Sequence, residues 1–224
     1  HYMSIMPLII SEKITEVIMS NQTFLDGMSE IFHMTDSNNL KNILLHGLQN
    51  HYNTYRQVDI SNQEVNARRE KVEHIYGHKI HDYVPFYFNP RNAMLYKNRN
   101  NACVIILGFD VRVIKDHQDG FLISNRNASA DEAKFSKYLP DLQNTNFINF
   151  NEVFSQRWCN NGIRYDDIKQ KMMAEILIND VVYSCYIRSI YVKDQISKKA
   201  IEEQLADDLK MYNINVIVDP AKFF

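Results

Sequence analysis

From residue 83 to 88 the chain reads Tyr-Val-Pro-Phe-Tyr-Phe and then meets Asn89-Pro90. Alternation places Tyr83, Pro85 and Tyr87 on one face of a strand and Val84, Phe86 and Phe88 on the other. Aromatic and β-branched residues suit a pleated, half-buried surface, and Pro90 bars continuation. An aromatic core strand is therefore one fixed point of the fold. A second is Cys103-Val104-Ile105-Ile106-Leu107, continuously apolar and read as a central strand.

Further strands are expected over 31–34, 174–178, 187–192 and 214–218. A helix over 35–46 has Leu40, Ile43 and Leu44 on one face and stops at Gly47. Another is expected over 61–76, with Glu64 and Arg68 four apart and Val65 and Val72 inward. Ser197 would cap a last helix with an Ile201, Leu205, Leu209 stripe. Ile10, Ile14 and Ile18 suggest an N-terminal helical extension over 1–30, ahead of one domain over 31–224. Strands and helices alternate without a βαβα cadence, so the class is α+β.

Composition narrows the function classes. The 224 residues are 45% hydrophobic and 23% charged, which excludes disorder, and 25 Tyr and Phe against 6 Gly and 5 Pro exclude fibrous classes. The net charge of −2 gives no global positive field, although a neutral chain can still carry a basic groove. Three distant cysteines make neither a disulfide framework nor a metal set, and Cys103 and Cys185 are expected to be buried thiols. No apolar run approaches the roughly 20 residues of a membrane span, and no secretory signal is visible, so a reducing cytoplasm is expected.

Common nucleotide, hydrolase and metalloprotease signatures are absent. Three small constellations remain. His33 lies between apolar neighbours, Arg68 and Arg69 sit on a helix, and Glu175 is flanked by apolar residues at the start of a strand. Such a carboxylate is costly unless paired or used. A polar stretch, Ser124-Asn125-Arg126-Asn127-Ala128, precedes it as a loop.

Residues 81–88, His-Asp-Tyr-Val-Pro-Phe-Tyr-Phe, closely resemble a signature of the DarT family of DNA ADP-ribosyltransferase toxins. Phe32-His33-Met34-Thr35 with Asn39-Leu40 resembles the family's opening motif, and Ala67-Arg68-Arg69-Glu70 its arginine pair. Residues 171–178 resemble its Q-A-E-x-L-V segment, with Met173 in place of Gln. Arg91-Asn92-Ala93 departs from the family's R-S-P.

The resemblance implies an ADP-ribosyltransferase-like split mixed β-sheet core with surrounding helices. It implies transfer of ADP-ribose from NAD, with no metal, to thymine or guanine in single-stranded DNA. His33, Thr35, Asn39 and Arg68 would hold NAD, and Tyr87 would wall the nicotinamide. Glu175 would orient the ribose and take the base proton, and Arg69 would stabilise charge on the base. Ser124, Asn125, Arg126, Asn127 and Arg91 would face DNA, with Arg56, Lys97 and Arg99 near phosphates. It further implies a monomeric toxin, with no membrane partner, countered by a macrodomain antitoxin. RNA- or protein-directed transfer, and a catalytically silent binding module, are the rival readings.

Overall fold

The computed structural model describes residues 27–160 and 163–224. Residues 1–26 of the expected helical extension lie outside them, and Glu30 opens the first strand instead. The sheet strands are β1 (Glu30–Asp36), β2 (Val84–Tyr87), β3 (Val104–Asp110), β4 (Phe121–Ser124), β5 (Phe135–Ser136), β8 (Glu175–Ile178), β9 (Ile187–Val192) and β10 (Asn215–Val218). They form one mixed sheet in the order β10-β9-β3-β1-β2-β8-β4-β5, parallel only between β9 and β10. Two short strands, β6 (Cys159–Asn160) and β7 (Ile163–Arg164), pair separately.

Both sheet faces are covered, which explains the unbroken apolar runs. In β3, Ile105 and Leu107 join the large core with Val84, Phe86, Phe88, Ile176 and Ile178. Val104 and Ile106 face the other way, with Met34, Tyr87, Met173 and Tyr191. The helix α1 (Leu40–His46) adds Leu40, Ile43 and Leu44 to the large core, and α7 (Gln195–Tyr212) adds Ile201, Leu205 and Leu209. Among the described residues, no helix is long and apolar enough to cross a membrane.

The sheet splits where it matters. β1 matches β3 residue for residue from Glu30↔Asp110 to Asp36↔Val104, and β2 matches β8 from Val84↔Ile178 to Tyr87↔Glu175. Between β1 and β2 the register holds only at Phe32↔Tyr87. The His33 ring reaches the Pro85 carbonyl of β2 at this divide, 2.9 Å away.

Four expectations need correction. The helix α2 is Gln63–Arg69, not 61–76, and Val72 is 59% exposed. Glu73 breaks the helix by drawing the backbone N–H groups of Ile75, Tyr76 and His78 onto its carboxylate, with Gly77 at φ 77° completing the turn. Cys103 and Cys185 are exposed: Cys103 sits just before β3 in a turn held by Asn101, and Cys185 lies in the 3-10 turn Ser184–Tyr186. Asp194 caps α7, accepting from the Ser197 N–H at 2.8 Å. Finally, the helix expected over 35–46 is Leu40–His46, with Thr35 and Asp36 in β1.

Gly47 ends α1 with φ 78° and ψ 167°, and a Cβ there would lie 2.7 Å from Val181 Cγ1. Gly47→Ala is therefore expected to cost about 1–3 kcal/mol, which lowers Tm by roughly 2–12 °C. Exposed Leu45→Ala should stay within about 0.5 kcal/mol; a thermal melt of both variants checks this.

Candidate active site

A cleft of about 760 Å³ opens at the split in the sheet. His33, Thr35, Arg56, Arg69, Tyr87 and Asn127 are among its lining residues. Register brings Tyr87 of β2, Glu175 of β8 and Ser124 of β4 into one row. Arg69, the last residue of α2, is 7% exposed and reaches into that row. Its Nη1 and Nη2 donate to Glu175 Oε1 and Oε2 at 3.1 and 3.2 Å. This is the two-pronged guanidinium–carboxylate geometry, the strongest form of such a pair. Burial lowers the proton affinity of Arg69, but the facing Glu175 charge outweighs it and the net direction is up.

Glu175 is wholly buried, and Oε1 also accepts the Ala128 N–H at 2.8 Å. That donor belongs to the polar loop that the resemblance assigns to DNA. Asn127 Oδ1 turns the loop by accepting from Ser129 N and Oγ, and Lys71, just past the end of α2, donates to the Ala130 carbonyl. With three donors placed, one lone-pair direction of Glu175 remains, on Oε2. Arg69 lines the cleft, whereas Glu175 does not.

His33 has lost much of its basicity. Burial lowers its pKa to about 4; the Pro85 hydrogen bond opposes this, and the charges of Arg56 and Arg69 reinforce it. A carbonyl can only accept, so Nδ1 carries the proton and Nε2 keeps a free lone pair. Tyr87 is pushed upward by burial and by Glu175, so its phenol stays protonated, with its O–H on Met94 Sδ.

Asn39 is fully used. Its Oδ1 accepts from Gln57 N and Val58 N, and its Nδ2 donates to Thr35 Oγ1 and the Val58 carbonyl, all within 3.0 Å. It therefore clamps the 53–60 loop against β1, with no hydrogen-bonding capacity left for a ligand. Arg68 is exposed at the cleft edge while Arg69 is buried. Arg126 pairs with Asp167 at 2.9 Å, and buried Ser124 donates to the Arg126 carbonyl. The Asn125 N–H and side chain hold Lys134 across the β4–β5 turn. Arg91 lies away from the cleft, donating to the Phe223 carbonyl and stacking on Phe224.

Sequence reasoning missed three groups. The Ala128 N–H has no side-chain signature. His81 hydrogen-bonds the Asn66 carbonyl of α2 at 2.9 Å and stacks on His51 at 3.9 Å, steadying the helix that carries Arg69. Burial and the nearby His51 and Arg69 charges hold its pKa to about 4. Glu73 fixes the turn before β2 and accepts the Tyr83 hydroxyl at 2.9 Å; its setting in Glu-His-Ile-Tyr-Gly-His was a legible turn signal. Among the described residues, no group of three His, Cys, Asp or Glu side chains is placed to hold a metal ion.

Residues 32–224 match a family model described as "DarT: ssDNA thymidine ADP-ribosyltransferase, DarT". The chain belongs to the DarT family, whose members are NAD-dependent DNA ADP-ribosyltransferases. It is 26% identical over 188 residues to a DNA ADP-ribosyl transferase of Thermus aquaticus, covering 79% of this chain and 80% of that one. It is 25% identical over 203 residues to a DNA ADP-ribosyl transferase–DNA ADP-ribosyl glycohydrolase fusion protein of Thermosipho africanus, covering 87% of this chain and about half (49%) of that protein. The fold matches Thermus sp. 2.9 DarT in complex with ADP-ribosylated ssDNA, with TM-score 0.74, 23% identity, and 88% and 96% of the two chains covered.

Arg69→Met would strand a buried carboxylate and is expected to cost about 3–5 kcal/mol, while Arg69→Met with Glu175→Leu should recover most of it; urea midpoints measure both. Neutral His33 stabilises the fold fully above its unfolded pKa of about 6.5, and this contribution is lost as pH falls toward about 4. His33→Asn should therefore show a shallower loss of Tm than wild type between those values.

Proposed function

We propose that this chain transfers ADP-ribose from NAD to a thymine base in single-stranded DNA. The observation that carries the reading is the buried, two-pronged Arg69–Glu175 pair at the split between β1 and β2. The family description names thymidine in ssDNA, which favours thymine over guanine. The reaction breaks the bond between ribose C1′ and nicotinamide nitrogen, whose electron pair leaves with neutral nicotinamide. A bond forms from the base ring nitrogen to C1′, and the nitrogen's proton passes to Glu175 Oε2.

Reaching Oε2 requires Arg69 to yield one arm of the fork. The freed guanidinium then faces the negative charge that develops on the base as its proton leaves. Glu175 stays aligned meanwhile through Ala128 N. His33 Nε2 accepts a hydroxyl of the NAD ribose, a task that suits an imidazole kept neutral. Tyr87 walls the nicotinamide side. Thr35 and Arg68 bind NAD directly, and Asn39 does so through the loop it clamps. Arg126 and the flanking Asn125 and Asn127 belong to the loop beside the acceptor base.

A stacked duplex would hide the ring nitrogen, so a single strand is the natural acceptor. The reading takes the monomer as the working unit. Unchecked modification of DNA is toxic, and the Thermosipho relative joins its transferase to a glycohydrolase. The reading therefore includes a macrodomain glycohydrolase antitoxin and action in the cytoplasm.

The test is incubation with NAD and single-stranded oligonucleotides containing either thymine or guanine as the only reactive base, read by intact mass. One ADP-ribose increment on the thymine oligonucleotide is expected, with Glu175→Gln slowing it roughly 10²–10⁴-fold. An increment on guanine alone overturns the base. Increments on RNA or protein alone overturn the acceptor class.

A further inference from the structure

The cleft's lining extends from Tyr87 onto a second surface. The helix α3 (Ala93–Lys97) follows β2 and carries Tyr96 and Lys97 to the cleft's edge, followed by Arg99. Tyr96 is 43% exposed although it belongs to an aromatic cluster. Its ring meets Trp158 at 5.5 Å and 89° and Phe224 at 5.1 Å and 86°, edge to face. These edge-to-face contacts fix the tilt of the Tyr96 ring. Arg99 lies exposed over the Tyr96 ring, with Cζ 4.1 Å from the centroid, and its Nη1 donates to the Tyr96 carbonyl. The guanidinium is thereby tethered over the aromatic ring while Arg99 stays exposed.

Charge is the second, independent observation. Among the described residues no carboxylate pairs with Lys97, Arg99 or Lys169, all of which line the cleft. This contrasts with Arg56, Arg126 and Lys171, each of which is paired with an aspartate. A chain of net charge −2 thus leaves a run of free cations beside exposed stacking surfaces. Flat aromatic and guanidinium faces interleaved with unpaired cations suit the bases and phosphates of a single strand.

We infer that Tyr96, Arg99 and Trp158 form a stacking platform for a nucleotide flanking the target base, with Lys97 and Lys169 on its phosphates. The inference rests on the DNA-directed reading above and adds to it the surface that grips the strand. Stacking is sequence-tolerant, so the platform supplies affinity and register while the cleft selects the base.

Trp158 is the only tryptophan, so its fluorescence reports on the platform without background. Glu175→Gln is titrated with oligothymidylate in the absence of NAD. Saturable quenching is expected, weakening with salt, and the duplex form of the same sequence should not quench at equal concentration. Tyr96→Ala should raise the apparent Kd roughly 5- to 100-fold, as loss of one base–aromatic stack implies, with Tyr96→Phe restoring it. Lys97→Gln with Lys169→Gln should shrink the salt slope by about 0.7 per cation. In wild-type background, Tyr96→Ala and Arg99→Ala should raise KM for DNA and leave KM for NAD alone. Quenching by NAD alone, or KM for DNA unchanged in both variants while the wild type still modifies DNA, overturns the platform and leaves the proposed reaction standing. Quenching without any modification of DNA keeps the platform and overturns the reaction.

Discussion

A carboxylate with no solvent exposure, held by a guanidinium almost as buried, is the constraint on which the site is built. Removing both charges from water costs several kcal/mol per ion, and only good geometry with extra hydrogen bonds offsets it. The structure supplies both: a two-pronged contact and a third donor from Ala128. The pair joins α2, β8 and the 125–134 loop, three segments far apart in sequence. An enzyme that maximised stability would have little reason to keep two charges there, and apolar residues of similar volume would serve as well. The pair makes physical sense as a stored arrangement whose arms can be exchanged for substrate.

Loops become rigid walls around it through local accounting of backbone donors. Asn39 satisfies both N–H groups of Gln57 and Val58, and Glu73 satisfies three more in the turn ahead of β2. Each clamp uses one buried side chain to hold a segment with no ladder of its own. The split between β1 and β2 makes this necessary. Where the sheet opens, the paired strands no longer fix the neighbouring chain, and polar side chains take over.

The strands were legible because their apolar patterns are dictated by burial on one or two faces. Residues 83–88 and 174–178 follow their alternation into distinct cores, with Glu175 placed on the face that the pattern assigns it. Two adjacent residues on a helix differ only in direction, so sequence does not show which of Arg68 and Arg69 turns inward; tertiary contact places Arg69 against Glu175 and leaves Arg68 exposed. The expected helix over 61–76 overran because a helix stripe carries no sign of a carboxylate that competes for its backbone, as Glu73 does. Cys103 and Cys185 looked buried from their neighbours, but each lies just ahead of a strand, where the chain turns to solvent. The resemblance pointed to His33 and Asn39 alike as ligand-binding. Only the hydrogen bonds separate a ring with a free nitrogen from an amide that is saturated.

Charge is divided in the same way. His33 and His81 are kept neutral by burial and by the guanidinium groups around them, so the imidazoles add no further positive charge beside Arg69. Among the described residues lining the cleft, Arg68, Lys97, Arg99 and Lys169 have no carboxylate partner and stand where solvation is retained and a polyanion would meet them. A positively charged interior would bind NAD pyrophosphate and DNA phosphate alike and could not tell one substrate from the other. On the proposed reading, neutral hydrogen-bonding groups within take the NAD ribose, and the cations Lys97, Arg99 and Lys169 at the edge take the DNA strand.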